Sequence, residues 1–135
     1  MPFDLPRWLE PMRLIDCGAY DGDAMRAMLD NGYVIERVAA FEPDPNNYTK
    51  LVKRLRDFDA ICMPCGVSAS TSQVRFNAGK GTASKIAVDG KIMIQCVSID
   101  EALPSFGPTL IKMDVEGAES SALSGAERTL RRYRP

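Results

Sequence analysis

Two apolar runs in this chain end in loops of defined chemistry, and together they restrict the fold more than any other feature. Ile15-Asp16-Cys17-Gly18-Ala19-Tyr20-Asp21-Gly22 closes the first run, and Phe41-Glu42-Pro43-Asp44 closes the second. An apolar run, a D-x-G-x-x-x-G turn, a helix, a second apolar run and then a carboxylate is the order in which an α/β sheet presents a ligand crevice. The glycines let backbone approach the ligand, and the acid at the second strand end is placed to accept both hydroxyls of a ribose. The pattern points to a nucleoside-bearing cofactor.

Charge separates the candidate nucleosides. The glycine loop carries Asp16 and Asp21, and Asp23 opens the helix that follows. A pyrophosphate placed there meets carboxylates where a dinucleotide site offers backbone N–H groups and a helix dipole. S-adenosylmethionine has no phosphate, carries a sulfonium and an ammonium, and still presents a ribose diol to Glu42, so the acidic loop favours it over NAD. Asp21 and Asp23 also have a local reading as turn and N-cap residues. Asp16 and Glu42, at strand ends facing one crevice, are harder to explain in such local terms.

At 135 residues the chain has the size of one domain, and 17 basic against 18 acidic residues leave a net charge of −1, which signals no nucleic-acid or membrane partner. The lead from Met1 to Pro11 is interrupted by Pro2, Pro6 and Pro11 and carries Asp4, Arg7 and Glu10, so it lacks the apolar core of a signal peptide. No run reaches the length of a membrane span, and a cytoplasmic address is expected. Cys62-Met63-Pro64-Cys65 has C-x-x-C spacing, but it lies in a strand-like run rather than at a helix N-terminus. The chain has no histidine, so a zinc site would need Cys17 and Cys96 to converge on that pair. Buried, reduced cysteines and no metal are therefore expected.

Periodicity predicts strands at Met12 to Cys17, within Tyr33 to Phe41, and at Ala60 to Cys65, alternating with helices. The first helix runs from Asp23 to Asn31, with Ala24, Met25, Met28 and Leu29 on one face and Gly32 as its stop. The second has Asp44 as N-cap, Pro45 in its first turn, and an apolar stripe of Tyr48, Leu51, Val52 and Leu55. Lys50, Lys53, Arg54 and Arg56 fall largely outside that stripe and read as a solvated face. Such alternation predicts a parallel sheet. Gln73 to Asn77 and Lys91 to Val97 then read as two short strands joined by Ala78 to Gly90, a hairpin or mobile loop in place of a crossover helix. Ser98 to Leu103 reads as a helical turn and Thr109 to Val115 as a fourth sheet strand. Gly117 to Arg132 reads as a final helix with Ala118, Ala122, Leu123, Ala126 and Leu130 inward.

The fourth strand carries a lysine and ends in acids: Ile111-Lys112-Met113-Asp114-Val115-Glu116-Gly117-Ala118-Glu119. Alternation puts Lys112 and Asp114 on one face, and Glu116 with them if the extended backbone continues. A lysine inside a strand needs a carboxylate partner or a lowered pKa. An ion pair buttressing the sheet is the first reading and a catalytic lysine the second. Asp114 stands nearer the carboxyl edge, where ligands bind in such sheets.

With the Asp16 loop, Phe41-Glu42-Pro43-Asp44-Pro45-Asn46, Gly66-Val67-Ser68 and Ala122-Leu123-Ser124-Gly125-Ala126, in this order and spacing, the chain resembles the FkbM-type methyltransferases from about residue 12 onward. The resemblance implies a Rossmann-like α/β fold, a mostly parallel sheet with flanking helices and the β-hairpin insertion. It implies S-adenosylmethionine as cofactor, with Asp16, Gly18, Ala19, Tyr20 and Gly22 at its methionine end, Glu42 on the ribose, and the segment around Ser68 near the adenine. Relatives often have an aspartate after that serine, where this chain has Ala69. Their sheet also continues beyond the point where this chain stops, at Pro135. The expectation is a domain over residues 12–135, incomplete at its C-terminal side before a fifth strand, whose open apolar edge suits pairing with another copy.

The leading expectation is methyl transfer from S-adenosylmethionine to an oxygen of a small molecule, sugar or natural product. For a hydroxyl acceptor the protein must supply positioning and a base. The candidates in order are Asp114, Glu116 and Lys112. A nicotinamide-dependent oxidoreductase and a non-catalytic cofactor-binding fragment are the alternatives.

Overall fold

The computed structural model describes residues 10–78, 85–86 and 90–135. Their elements, in chain order, are β1 (Met12–Cys17), α1 (Asp23–Asp30), β2 (Ile35–Phe41), α2 (Pro45–Leu55), β3 (Ala60–Met63), β4 (Gly66–Val67), β5 (Ser72–Asn77), β6 (Lys85–Ile86), β7 (Ile92–Val97), α3 (Ile99–Ala102), β8 (Leu110–Met113), α4 (Glu119–Ser124) and α5 (Glu127–Tyr133). Most of the lead up to Pro11, and much of the Ala78 to Gly90 connection, lie outside the described residues. Among the described residues no helix is long and apolar enough to cross a membrane.

The main sheet has the order β3-β2-β1-β8 and is parallel throughout. Cys17 is level with Phe41 and with Met113, and Phe41 with Met63, so the four strands end at one height. Whatever follows each strand therefore emerges on one edge. The chain runs outward from β1 through β2 to β3 and then returns to the far side of β1 as β8. The gap between β1 and β8 is thus a topological switch point, where such sheets bind ligands.

Strand alternation builds the two layers. Ile15, Cys17, Ala39 and Phe41 face a core with Val67, Ile99, Leu103, Phe106, Ala122 and Ala126. Leu14, Val38 and Ala40 face the other way, onto Met25, Leu51 and Leu55 of α1 and α2. By the same period of two, Asp16, Lys112 and Glu42 lie on the α1/α2 side of the sheet. Asp44 caps α2 by accepting from the N–H groups of Asn46 and Asn47 at 2.9 and 3.3 Å, with Pro45 in the first turn, a contact worth about 1 kcal/mol. Val52, expected in the buried stripe, is 40% exposed, and Asn47 is buried instead.

The hairpin insertion forms a second sheet, β4-β7-β5-β6, in which β4 runs parallel to β7 and the other pairs are antiparallel. Pro64 ends β3 earlier than expected, because it offers no N–H to a sheet ladder, and Gly66 passes directly into the second sheet. The final helix is broken. Gly125 packs so closely on Ser68 that an added Cβ would lie 2.1 Å from the Ser68 carbonyl oxygen, and its own carbonyl accepts from Asp100 N–H at 2.9 Å. Asp100 then caps α5 from outside, accepting from the N–H groups of Arg128 and Thr129 and from the Thr129 hydroxyl. These distant partners divert the helix at Gly125. Leu123, expected to point inward, is 46% exposed as a result.

Candidate active site

Residues 18–22 turn over the carboxyl end of β1 through three left-handed positions, Gly18 at φ 75°, Tyr20 at φ 55° and Gly22 at φ 90°. The N–H groups of Gly18 and Ala19 both donate to the Phe41 carbonyl at 3.0 Å, and Gly22 N–H closes a tight turn on Ala19 O at 2.9 Å. A Cβ on Gly18 would fall 2.0 Å from the Asp114 carbonyl oxygen, so the loop leaves no room for a side chain against β8. Tyr20 is not a glycine and its backbone is strained there, which means neighbouring contacts must hold it.

Glu42 is one of those contacts. Its Oε2 accepts Tyr20 N–H at 2.7 Å and its Oε1 accepts Asp44 N–H at 2.8 Å, so one carboxylate ties the glycine loop to the start of α2. It is only 5% exposed. Burial pushes its carboxyl above the ordinary glutamate value, against the pull of the Asp44 and Tyr20 amides. The Asn47 side chain is a third donor, so of the roughly four acceptor directions of the carboxylate about one is left for a ligand.

Lys112 and Asp16 are register partners on neighbouring strands. Lys112 Nζ lies 3.0 Å from Asp16 Oδ1 and donates to Gly18 O at 2.9 Å, so the ammonium holds both the strand end and the loop. Asp16 is 1% exposed, and burial raises its carboxyl above the ordinary range even with the Lys112 ammonium beside it. This is the buttressing ion pair of the first reading. Lys112, third among the candidate bases, is committed to two partners.

Asp114 follows β8, exposed to solvent, with its N–H bonded to Cys17 O at 3.0 Å. Glu116 does not continue the strand. It sits at φ 36° and Gly117 at φ 88°, so the chain turns away before Glu116 and the expected shared face is lost. Ser68 follows β4, and its backbone contacts run to Val97 and Gly125 rather than to the loop. Asp16, Gly18, Ala19, Tyr20, Gly22, Glu42, Lys112 and Asp114 are thus brought to one edge, while Glu116 leaves the strand face at the turn after Asp114 and Ser68 follows β4 of the second sheet.

The loop is less acidic than its sequence suggests, because Lys112 offsets Asp16 and Arg54 Nη1 lies 3.2 Å from Asp21 Oδ1. Two contributors escaped the sequence reading: Arg54, and the buried Asn47, whose side chain hydrogen-bonds Glu42. Both stand on the Leu51 side of α2 at helical spacing, which was the available signal. The four cysteines are free, with Cys17 and Cys96 buried and Cys62 and Cys65 half-buried.

Known proteins resemble this chain in sequence and in fold. The sequence profile of the methyltransferase FkbM domain matches residues 16–135. The hexuronic acid methyltransferase AglP of Haloferax volcanii is 31% identical over 102 residues, covering 69% of this chain and 42% of that protein. The crystal structure of methyltransferase FkbM from Methylobacillus flagellatus KT superposes with a TM-score of 0.73 at 30% identity, covering 98% of this chain and 33% of that one. The chain therefore spans less than half the length of either protein.

Proposed function

This chain belongs to the FkbM methyltransferase family, and from that premise we propose that it binds S-adenosylmethionine at the β1/β8 edge and serves methyl transfer to an oxygen of a sugar or other small molecule. The observation that carries the reading is Glu42: a buried carboxylate already oriented by the Tyr20 and Asp44 amides at 2.7 and 2.8 Å, at the position where a ribose diol needs an acceptor. Gly18, which has no room for a Cβ against Asp114 O, seats the loop directly on β8 and so fixes its place over the strand ends.

S-adenosylmethionine, when bound, supplies the electrophilic methyl group. The chain's own residues orient and deprotonate. Glu42 holds the ribose hydroxyls, the Gly18–Gly22 backbone with Asp16 receives the methionine end, and Lys112 keeps that backbone in place through Gly18 O. Asp114, exposed on the same edge, takes the proton of a hydroxyl acceptor, with Glu116 behind it. Lys112 acts here as a positioning group. The acceptor class follows the relative that acts on a hexuronic acid, so glycosides of hexuronic acids are the first acceptors to offer.

The test is incorporation of labelled methyl from S-adenosylmethionine into such glycosides. Asp114→Asn keeps the shape and removes the charge. It is expected to lower kcat by about 10²- to 10⁴-fold with little change in S-adenosylhomocysteine affinity. A near-normal kcat would take the base role from Asp114, as when the methyl goes to a carboxylate that arrives ionised. No incorporation with any sugar or small-molecule acceptor would oppose the transfer reading.

A further inference from the structure

Arg54 stands in the last turn of α2 among lysines and arginines that face solvent, yet its guanidinium turns toward the glycine loop. Nη1 lies 3.2 Å from Asp21 Oδ1, an ion pair without hydrogen-bond geometry to a carboxylate oxygen shielded from solvent. The Arg54 stem covers Gly22, where an added Cβ would come within 3.1 Å of Arg54 Cδ. The loop it reaches is strained, with Tyr20 at φ 55° and Gly22 at φ 90°, and cannot hold that shape by local preference. Lys112 fixes the Gly18 end through its carbonyl, and Glu42 fixes the middle through Tyr20 N–H. Arg54 fixes the remaining end, where the loop enters α1.

We propose that Arg54 is a positioning residue for cofactor binding. By pairing with Asp21 and covering Gly22 it locks the Gly18–Gly22 loop in the shape that receives the methionine end of S-adenosylmethionine, without touching the ligand. The inference rests on the reading of this loop as the cofactor loop. It also gives Asp21 a role other than attracting the cationic cofactor, since its charge is spent on α2.

Arg54→Met keeps an unbranched stem over Gly22 and removes the guanidinium. Asp21→Asn removes the charge on the other side, and Arg54→Lys restores a cation. In the ligand-free chain, Arg54→Met is expected to speed amide exchange at residues 19–22 by about 2- to 5-fold, while β1 and β2 keep their rates. Arg54→Met and Asp21→Asn are each expected to weaken S-adenosylhomocysteine binding by about 2- to 5-fold, with the double variant no worse than the weaker single and Arg54→Lys recovering most of the loss. A purely structural contact would lower thermal stability and leave the affinity of the folded chain unchanged. Unchanged loop exchange in Arg54→Met, or losses that add in the double variant, would overturn the proposal. Failure of the unmodified chain to bind S-adenosylhomocysteine would overturn the reading beneath it, and exchange, which needs no ligand, tells the two failures apart.

Discussion

Gly18→Val is expected to abolish S-adenosylhomocysteine binding and to lower the melting temperature while most of the helical circular dichroism persists. The new Cβ would fall 2.0 Å from the Asp114 carbonyl oxygen and 2.9 Å from its carbon, both backbone atoms at the end of β8. Relief requires parting β8 from β1 at the switch point. The backbone at φ 75° adds strain, costing about 1 to 2 kcal/mol for any L side chain, and crowding adds about 1 to 3 kcal/mol. At about 4 °C per kcal/mol for a domain of this size, the loss exceeds 5 °C. Gly32→Ala is the matched control. Gly32 has φ 84° but nothing within 4 Å of an added Cβ, so it carries the strain without the clash and is expected to retain binding. A Gly18→Val chain that binds within a few-fold of the unmodified protein would remove the loop from the site.

Glu42 carries the second large effect. In Glu42→Gln, whichever way the amide turns, its NH₂ faces a backbone N–H that the carboxylate now satisfies, from Tyr20 or from Asp44. Each charge-assisted bond lost to the ribose is worth about 1.5 to 3 kcal/mol, so S-adenosylhomocysteine affinity is expected to fall by about 10- to 100-fold. The pH dependence has a definite sign. Burial raises the Glu42 pKa in the folded, ligand-free chain, so its contribution to folding stability is full below the unfolded-state value and is lost as pH rises through the folded one. Ribose hydroxyls donate to the ionised form. Affinity is therefore expected to weaken as pH falls through a value above the ordinary glutamate range, with proton release on binding in that window. Isothermal titration across that range should show the acid-side loss in the unmodified chain and a flatter profile in Glu42→Gln. Unchanged affinity in a folded Glu42→Gln chain would contradict the ribose assignment.

The parts of this fold legible in the sequence are those governed by local rules. The Asp44 cap with Pro45, the stop at Gly32 and the alternation of β1, β2 and β8 are set within a few residues, and the strands and helices stand where those signals placed them. The parts that were not legible depend on distant partners. Ser124-Gly125 is a weak local breaker signal, but what breaks the helix there, the Ser68 carbonyl and the Asp100 side chain and N–H, is distant in sequence. Alternation showed that Lys112 needed a carboxylate, but choosing Asp16 required the β1/β8 register. Glu116 leaves the face of Lys112 and Asp114 at a local signal, because a glycine follows it and the pair turns the chain. Arg54 is exposed with the other basic residues of α2, and only its pairing with Asp21 lies beyond the sequence, although it stands three residues from Leu51, one helical neighbour away. With Asp16 and Asp21 paired in this way, the feature of the loop that favours a nucleoside is the buried Glu42 carboxylate rather than loop charge.

The most direct test of this account is calorimetric titration of the unmodified chain with S-adenosylhomocysteine and, separately, with NADH. The expected result is saturable one-site binding of S-adenosylhomocysteine and no measurable heat with NADH, whose pyrophosphate would stand beside Glu42 and the exposed Asp23 and Asp114. Saturable binding of NADH with no uptake of S-adenosylhomocysteine would contradict it.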